Sequence, residues 1–162
     1  MWNHIKNNLK IYIVSIAIPI GIGLLSALLT KNNMMLYSDI VKPPLAPPAL
    51  LFPIVWTVLY VLMGISCGIV YIHRDRNPEA ARQGLSFYAT SLVVNFAWSI
   101  IFFNIRAFFL AFIWLLLLLY LIIRTILSYL KVSTTSAYLQ IPYAAWVTFA
   151  GYLNIAIWIL NR

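Results

Sequence analysis

The chain has 162 residues, of which 64% are hydrophobic and only 9% charged, with a mean hydropathy of +0.93. A water-soluble domain carries about 25% charged residues, so this composition excludes one and places the chain in a bilayer. The net charge of +8, from eleven Lys and Arg against three Asp and Glu, would raise nucleic acid as a partner for a soluble protein. Here the basic residues sit between apolar runs, where positive charge sets topology and meets lipid headgroups. Membrane lipid, not nucleic acid, is the expected partner. The single cysteine, Cys67, excludes an intramolecular disulfide.

A helix crossing the hydrocarbon core takes about 20 apolar residues. Five runs qualify: Leu9–Leu29, Leu50–Ile72, Leu85–Ile105, Ala107–Tyr129 and Ala137–Leu160. They are continuous instead of alternating, which predicts helices and not barrel strands. The expected fold is an all-α membrane protein, a bundle of five transmembrane helices forming a single domain over residues 1–162.

The first run follows Lys6 and Lys10, as in a secretory signal. Its apolar stretch is longer than the usual ~7–15-residue signal core and no small-x-small cleavage site follows, so a retained helix is expected. Pro19 should kink it, with Gly21 and Gly23 allowing close packing. The longest connection, Thr30–Ala49, carries Pro43, Pro44, Pro47 and Pro48, which make a stiff extended arm. The arm leads into the second run with Trp56, Tyr60 and Gly64, a rigid loop placed to cover a pocket. His73–Gly84 is a polar link with Arg74, Arg76 and Arg82; Asn104 and Arg106 mark a short turn between antiparallel neighbours; Lys131–Ser136 is the last link. Lys6, Lys10, Arg74, Arg76, Arg82, Arg124 and Lys131 fall on one side, and Lys31, Lys42, Arg106 and Arg162 on the other. That bias predicts a cytoplasmic N-terminus, with the proline-rich loop and the C-terminus outside.

Asp39, Asp75 and Glu79 all lie in connections. Proton-coupled transporters place acids or histidines inside their helices, so the pattern argues against active transport by this chain alone. His4, His73 and Cys67 match no common metal or haem spacing, and interfacial histidines are the simpler reading. No nucleophile–base pair and no phosphate-cradling glycine loop is present. No cofactor is required by anything in the sequence.

What remains is aromatic and weakly polar. Trp56 and Tyr60 share a face of the second helix, and Asn95, Trp98 and Ser99 a face of the third. Trp146, Phe149, Ala150, Leu153 and Asn154 share a face of the fifth. One such stripe is ordinary packing; three carrying amides and indole N–H groups point to a pocket. Asn95 and Asn154 need partners in lipid, from a neighbouring helix, a water or a ligand. The pocket suits a flat apolar ligand with a few polar edges: a porphyrin, another polycycle or a sterol. Gly64 and Gly68 form a GxxxG pair that serves either a dimer face or packing within the bundle. A sterol-type pattern, Leu127-Ser-Tyr129-Leu-Lys131, also occurs.

Three motifs resemble the translocator protein family (TspO, the tryptophan-rich sensory proteins, peripheral benzodiazepine receptor-like). They are Tyr37 with KPPLAPP, Trp56-Thr-Val-Leu-Tyr60 and Met63-Gly64; Asn95-Phe-Ala-Trp98-Ser99 with Phe102-Phe103; and Pro142-Tyr143-Ala-Ala-Trp146 through Leu153-Asn154. The resemblance implies a five-helix bundle, often a homodimer, whose cavity is closed by the loop after the first helix. It implies an integral membrane receptor or sensor for porphyrins (protoporphyrin, haem-type tetrapyrroles) and benzodiazepine-site-like ligands, the porphyrin being ligand or substrate. Two alternatives come with it: light-dependent oxidative degradation of protoporphyrin, with Trp56 and Trp146 as the catalytic tryptophans, and passive tetrapyrrole transport. Carried over by motif position, the ligand-binding set is Tyr37, Pro47, Phe52, Trp56, Tyr60, Asn95, Trp98, Ser99, Trp146, Ala150 and Leu153. The basic-loop bias favours a bacterial cell membrane. Departures from the family pattern are Leu45, where many relatives have tryptophan, Ile155 in place of a sterol-motif tyrosine, and Trp114 where some relatives carry an acid.

Overall fold

The structure, a computed structural model, describes residues 2–162, with side chains from Asn8 onward. The side chains of His4 and Lys6 lie outside the described residues. Five long helices and one single-turn helix make up the chain: α1 (Trp2–Thr30), α2 (Leu36–Asp39), α3 (Leu51–Ile72), α4 (Pro78–Ser99), α5 (Phe108–Leu130) and α6 (Thr134–Leu160). Each long helix is apolar enough and long enough to cross a membrane. Among the described residues there is no strand.

Helix ends are set by local chemistry more than by hydropathy. α4 starts seven residues before the apolar run expected from Leu85. Asn77 accepts a hydrogen bond from the Ala80 amide at 3.1 Å, Pro78 fills the first helical position and Glu79 meets the positive helix end. α6 likewise begins at Thr134 and not Ala137, because the Ser133 hydroxyl caps the Ser136 amide at 3.4 Å. At its far end α4 widens into a π-helical turn over Ile100–Asn104, and Arg106 turns the chain with φ of 59°. α1 carries its helix through Pro19 without a break.

The helices form a ring: α1 packs on α3, α3 on α6, α6 on α5 and α5 on α4, which closes back on α1. The half of the ring away from the proline-rich loop is drawn tight by glycines. A Cβ on Gly64 would stand 2.5 Å from the Ile16 Cα, and one on Gly68 2.7 Å from the Tyr12 ring. Both glycines of the GxxxG pair therefore serve α1–α3 contact inside the bundle. Gly84 admits the Tyr129 ring in the same way. Gly23 admits Tyr60, whereas Gly21, expected to allow close packing, has open space around it. Tyr129 is fully buried. The sterol-type pattern around it therefore offers no ring to a molecule in the lipid.

Candidate functional site

The loop-side half of the bundle is hollow. A cavity of about 270 Å³ lies between the second half of α1, the start of α3, the end of α4 with its π turn, and the end of α6. Short side chains on α1 (Ser26, Ala27, Thr30) leave the space, and Gly23 makes room for the Tyr60 ring beside it. Rings on the facing helices build its walls.

Trp56 and Tyr60, four residues apart on α3, stack with centroids 5.4 Å apart and planes 29° from parallel. Tyr143 supports Trp56 from behind, edge-on at 6.1 Å. Across the cavity Trp98 lies against Phe102 at 5.4 Å. Phe52 closes the loop end, edge-on to Tyr37 at 5.1 Å. Such offset and edge contacts hold rings in fixed orientation, so the walls are preformed.

Two asparagines organise the polar groups. Asn154 accepts from Trp98 Nε1 at 3.1 Å and donates to the Phe108 carbonyl at 2.7 Å, tying α4, α6 and α5 together. Asn95 donates to the Tyr60 hydroxyl at 3.2 Å, while its buried Oδ1 has no partner among the described residues. Among the described residues no Lys, Arg, Asp, Glu or His lines the cavity. The chemistry on offer is stacking and neutral hydrogen bonding.

The loop over this half is strapped down at three backbone points. Tyr37, on α2, donates from its hydroxyl to the Pro47 carbonyl at 2.8 Å. Burial pushes the Tyr37 hydroxyl pKa above the usual tyrosine value, which keeps it a donor. Tyr152 donates to the Pro44 carbonyl at 2.8 Å. Asn161 pairs with both backbone groups of Val41, accepting at 2.8 Å and donating at 2.9 Å. Within the loop the Ala46 amide closes a tight turn on the Pro43 carbonyl at 3.2 Å, with Leu45 at φ 66°. Pro44 and Leu45 are its two central residues. A left-handed conformation at the second of them is the one a glycine would take most easily.

The cavity is not sealed sideways. Leu24 and Ala27 on α1, with Pro53 and Thr57 on α3, line it and are also exposed on the outer face of the bundle. It therefore opens between α1 and α3, at a level within the membrane-spanning segments.

Of the residues singled out by motif, Tyr37, Phe52, Trp56, Tyr60, Asn95, Trp98, Ser99, Ala150 and Leu153 line the cavity. Pro47 and Trp146 do not. Pro47 presents its carbonyl to Tyr37, and Trp146 stands behind Phe52 at 5.9 Å and beside Phe149 at 5.6 Å. The α1 wall was absent from the sequence expectation. Its signal is the run of small residues three and four apart (Gly23, Ser26, Ala27, Thr30), weak because apolar helices are rich in such residues. Trp114, in place of an acid, donates from Nε1 to the Val94 carbonyl at 2.9 Å and joins α5 to α4.

Comparison with known proteins agrees with this architecture. Residues 15–159 match the TspO/MBR family. The chain is 33% identical over 154 residues to the tryptophan-rich protein TspO of Chlorobaculum tepidum, covering 92% of this chain and 97% of that protein. It is 38% identical over 125 residues to protein CrtK of Rhodobacter capsulatus, covering 77% and 78%. It is 33% identical over 141 residues to the translocator protein of Bos taurus, covering 86% and 83%. Five membrane-length helices, a loop-capped aromatic cavity and these matches together show that the chain belongs to the TspO/MBR family.

Proposed function

We propose that the chain is a membrane receptor or sensor that binds a tetrapyrrole of the protoporphyrin or haem type, or an apolar benzodiazepine-site-like ligand, in this cavity. The observation that carries the reading is the Trp56–Tyr60 stack on the cavity wall, with the Asn95 amide bonded to the Tyr60 hydroxyl at its edge. It offers a flat ring a stacking surface and, in the Tyr60 hydroxyl, a polar group at its edge. A volume of about 270 Å³ falls just below the usual range of ligand sites, about 300–1,000 Å³. A macrocycle would therefore sit with one edge in the opening between α1 and α3. With no charged residue lining the cavity, ionised carboxylates on a ligand would stay outside, on the water side where Lys31 follows Thr30.

The basic-residue bias supports a cytoplasmic N-terminus in a bacterial cell membrane. Because Gly64 and Gly68 are used within the bundle, a homodimer would be built on another face. A second reading, light-driven oxidation of protoporphyrin with dioxygen as the electron acceptor, is favoured by one feature: Trp56 is an oxidisable indole on the cavity wall, stacked on a second oxidisable ring, placed to reduce radicals formed on the porphyrin. Trp146 would act only through Phe52, which stands between it and the cavity. Passive transport of tetrapyrroles shares the same cavity and would add net flux across liposomes.

The test is a protoporphyrin titration of the purified protein in detergent, read by tryptophan quenching in the dark and porphyrin absorbance under light. Trp56→Phe should weaken binding by about tenfold, roughly one aromatic pair. Unchanged affinity overturns the receptor reading. Light-dependent loss of the porphyrin band that disappears in Trp56→Phe would put the oxidative reading first.

A further inference from the structure

Outside the cavity, Arg124 stands well inside a membrane-spanning helix with no anion beside it among the described residues. Arg124 is the only charged residue of α5, six residues in from Leu130, or about 9 Å along the helix. α5 is about 34 Å long at 1.5 Å per residue, close to the ~30 Å hydrocarbon thickness. The guanidinium therefore sits at or below the headgroup boundary, on the outer surface of the bundle. It lies 4.8 Å over the Phe87 ring and 5.7 Å from that of Tyr120, and donates to the Tyr120 hydroxyl at 2.8 Å.

A guanidinium has five N–H donors, and this one spends one of them on a phenol. The chain has three carboxylates. Glu79 is taken by Arg82 at 3.1 Å and Gln83 at 2.7 Å, and this is the only ion pair among the described residues. A permanent cation inside a spanning segment, with no acid of its own chain beside it, calls for an anion from outside.

The surface beside it says which. Glu79, Arg82, Gln83, Ser86 and Phe87 line a shallow groove along the outer face of α4. It runs from the start of the helix inward to Phe87, the ring under Arg124. Its outer end holds Arg82 and Gln83 on the Glu79 carboxylate, and nearer Phe87 the Ser86 hydroxyl, at interface depth. Around Arg124 the exposed surface is Tyr120, Ile123 and Leu127, which acyl chains would cover. A diacyl phospholipid is the one abundant molecule that delivers a phosphate at that depth with hydrocarbon directly below it.

We propose that the α4–α5 face is a binding site for an anionic phospholipid, whose phosphate is held by Arg124 beside the Ser86–Phe87 end of the groove, with Arg82 exchanging between Glu79 and the headgroup. Arg–phosphate pairing is planar and charge-assisted, so substitution by a neutral amide should remove it.

The experiment is native mass spectrometry of the full-length protein released from detergent, offered dioleoyl phosphatidylglycerol, dioleoyl phosphatidylcholine or inorganic phosphate. The wild type should retain phosphatidylglycerol over phosphatidylcholine. Arg124→Gln should reduce that retention by about fivefold, and Arg82→Gln by less. Arg76→Gln removes an equal charge from the neighbouring α3–α4 link, outside the groove, and should leave retention unchanged. In parallel, phosphatidylglycerol should raise the unfolding temperature of the wild type but not of Arg124→Gln. Arg82→Gln carries the same comparison should Arg124→Gln fail to fold. Equal retention of both lipids, wild-type retention by Arg124→Gln, or an equal loss in Arg76→Gln would overturn the proposal. Displacement of the lipid by inorganic phosphate alone would show a free-anion site and overturn it too. So would an Arg124-dependent dimer that excludes lipid, since the anion would then come from a second copy.

Discussion

The two halves of this bundle are built from the same five helices by opposite means. Away from the loop, Gly64, Gly68 and Gly84 let backbones and rings meet, and Met63, Tyr129 and Tyr143 fill what is left without exposure. On the loop side Trp56, Tyr60 and Phe52 of α3 wall a cavity, Gly23 of α1 receives the Tyr60 ring, and the small residues Ser26, Ala27 and Thr30 of α1 line the space. An apolar void contributes no contact energy of its own and forfeits those its lining would otherwise make. The closed half must therefore supply the packing that keeps the open half open. Lipid gives no hydrophobic drive for helices to associate, so close glycine contacts are the natural source.

The sharpest way to break this division is Gly64→Val. Its Cβ would meet backbone, Ile16 Cα at 2.5 Å and Ser15 O at 2.7 Å, so α1 must shift as a whole. The expected loss is about 3 kcal/mol, read as a lowered unfolding temperature in detergent. Porphyrin binding should go with it, because α1 is also a cavity wall. Full binding in Gly64→Val would mean that the two halves are independent.

Asn154→Leu acts on the seam between them. It strips the Trp98 indole of its acceptor and the Phe108 carbonyl of its donor, both part-buried. About 2 kcal/mol should be lost, with a change in Trp98 fluorescence that Gly64→Val lacks at comparable unfolding. The smallest effect belongs to the lid. Leu45→Gly relieves a left-handed backbone at φ 66° but adds freedom to the unfolded chain. A net gain of about 0.5 kcal/mol is expected, and a loss would show that the Leu45 side chain holds something in place.

The division was only half legible in the sequence. The five spans follow from run length alone, and the facing aromatic stripes from i, i+4 spacing, because both depend on local periodicity. What the periodicity could not carry was the choice between two neighbours for one face. The glycine pair read equally well as a dimer seam, and Tyr12, Ser15 and Ile16 of α1 against it decide the matter. Trp146 was expected in the cavity because it shares the Ala150 face of α6, yet Phe52, brought in from the start of α3, takes the space in front of it. The start of α4 was missed for another reason. Its first turns are polar, and the Asn77 cap with Pro78 outweighs hydropathy there.

The opening between α1 and α3 changes what concentration means for this protein. A ligand that reaches the cavity sideways does so already dissolved in hydrocarbon, at its concentration there and not its aqueous one. A molecule that partitions a thousandfold into lipid would fill a site of only millimolar intrinsic affinity at micromolar total aqueous levels. Selectivity is then shared between bilayer and protein, with the membrane enriching flat apolar rings and the Asn95–Tyr60 edge choosing among them. It follows that apparent affinities should scale with the amount of lipid or detergent in the sample, and that ligands ranked in one membrane need not keep their order in another.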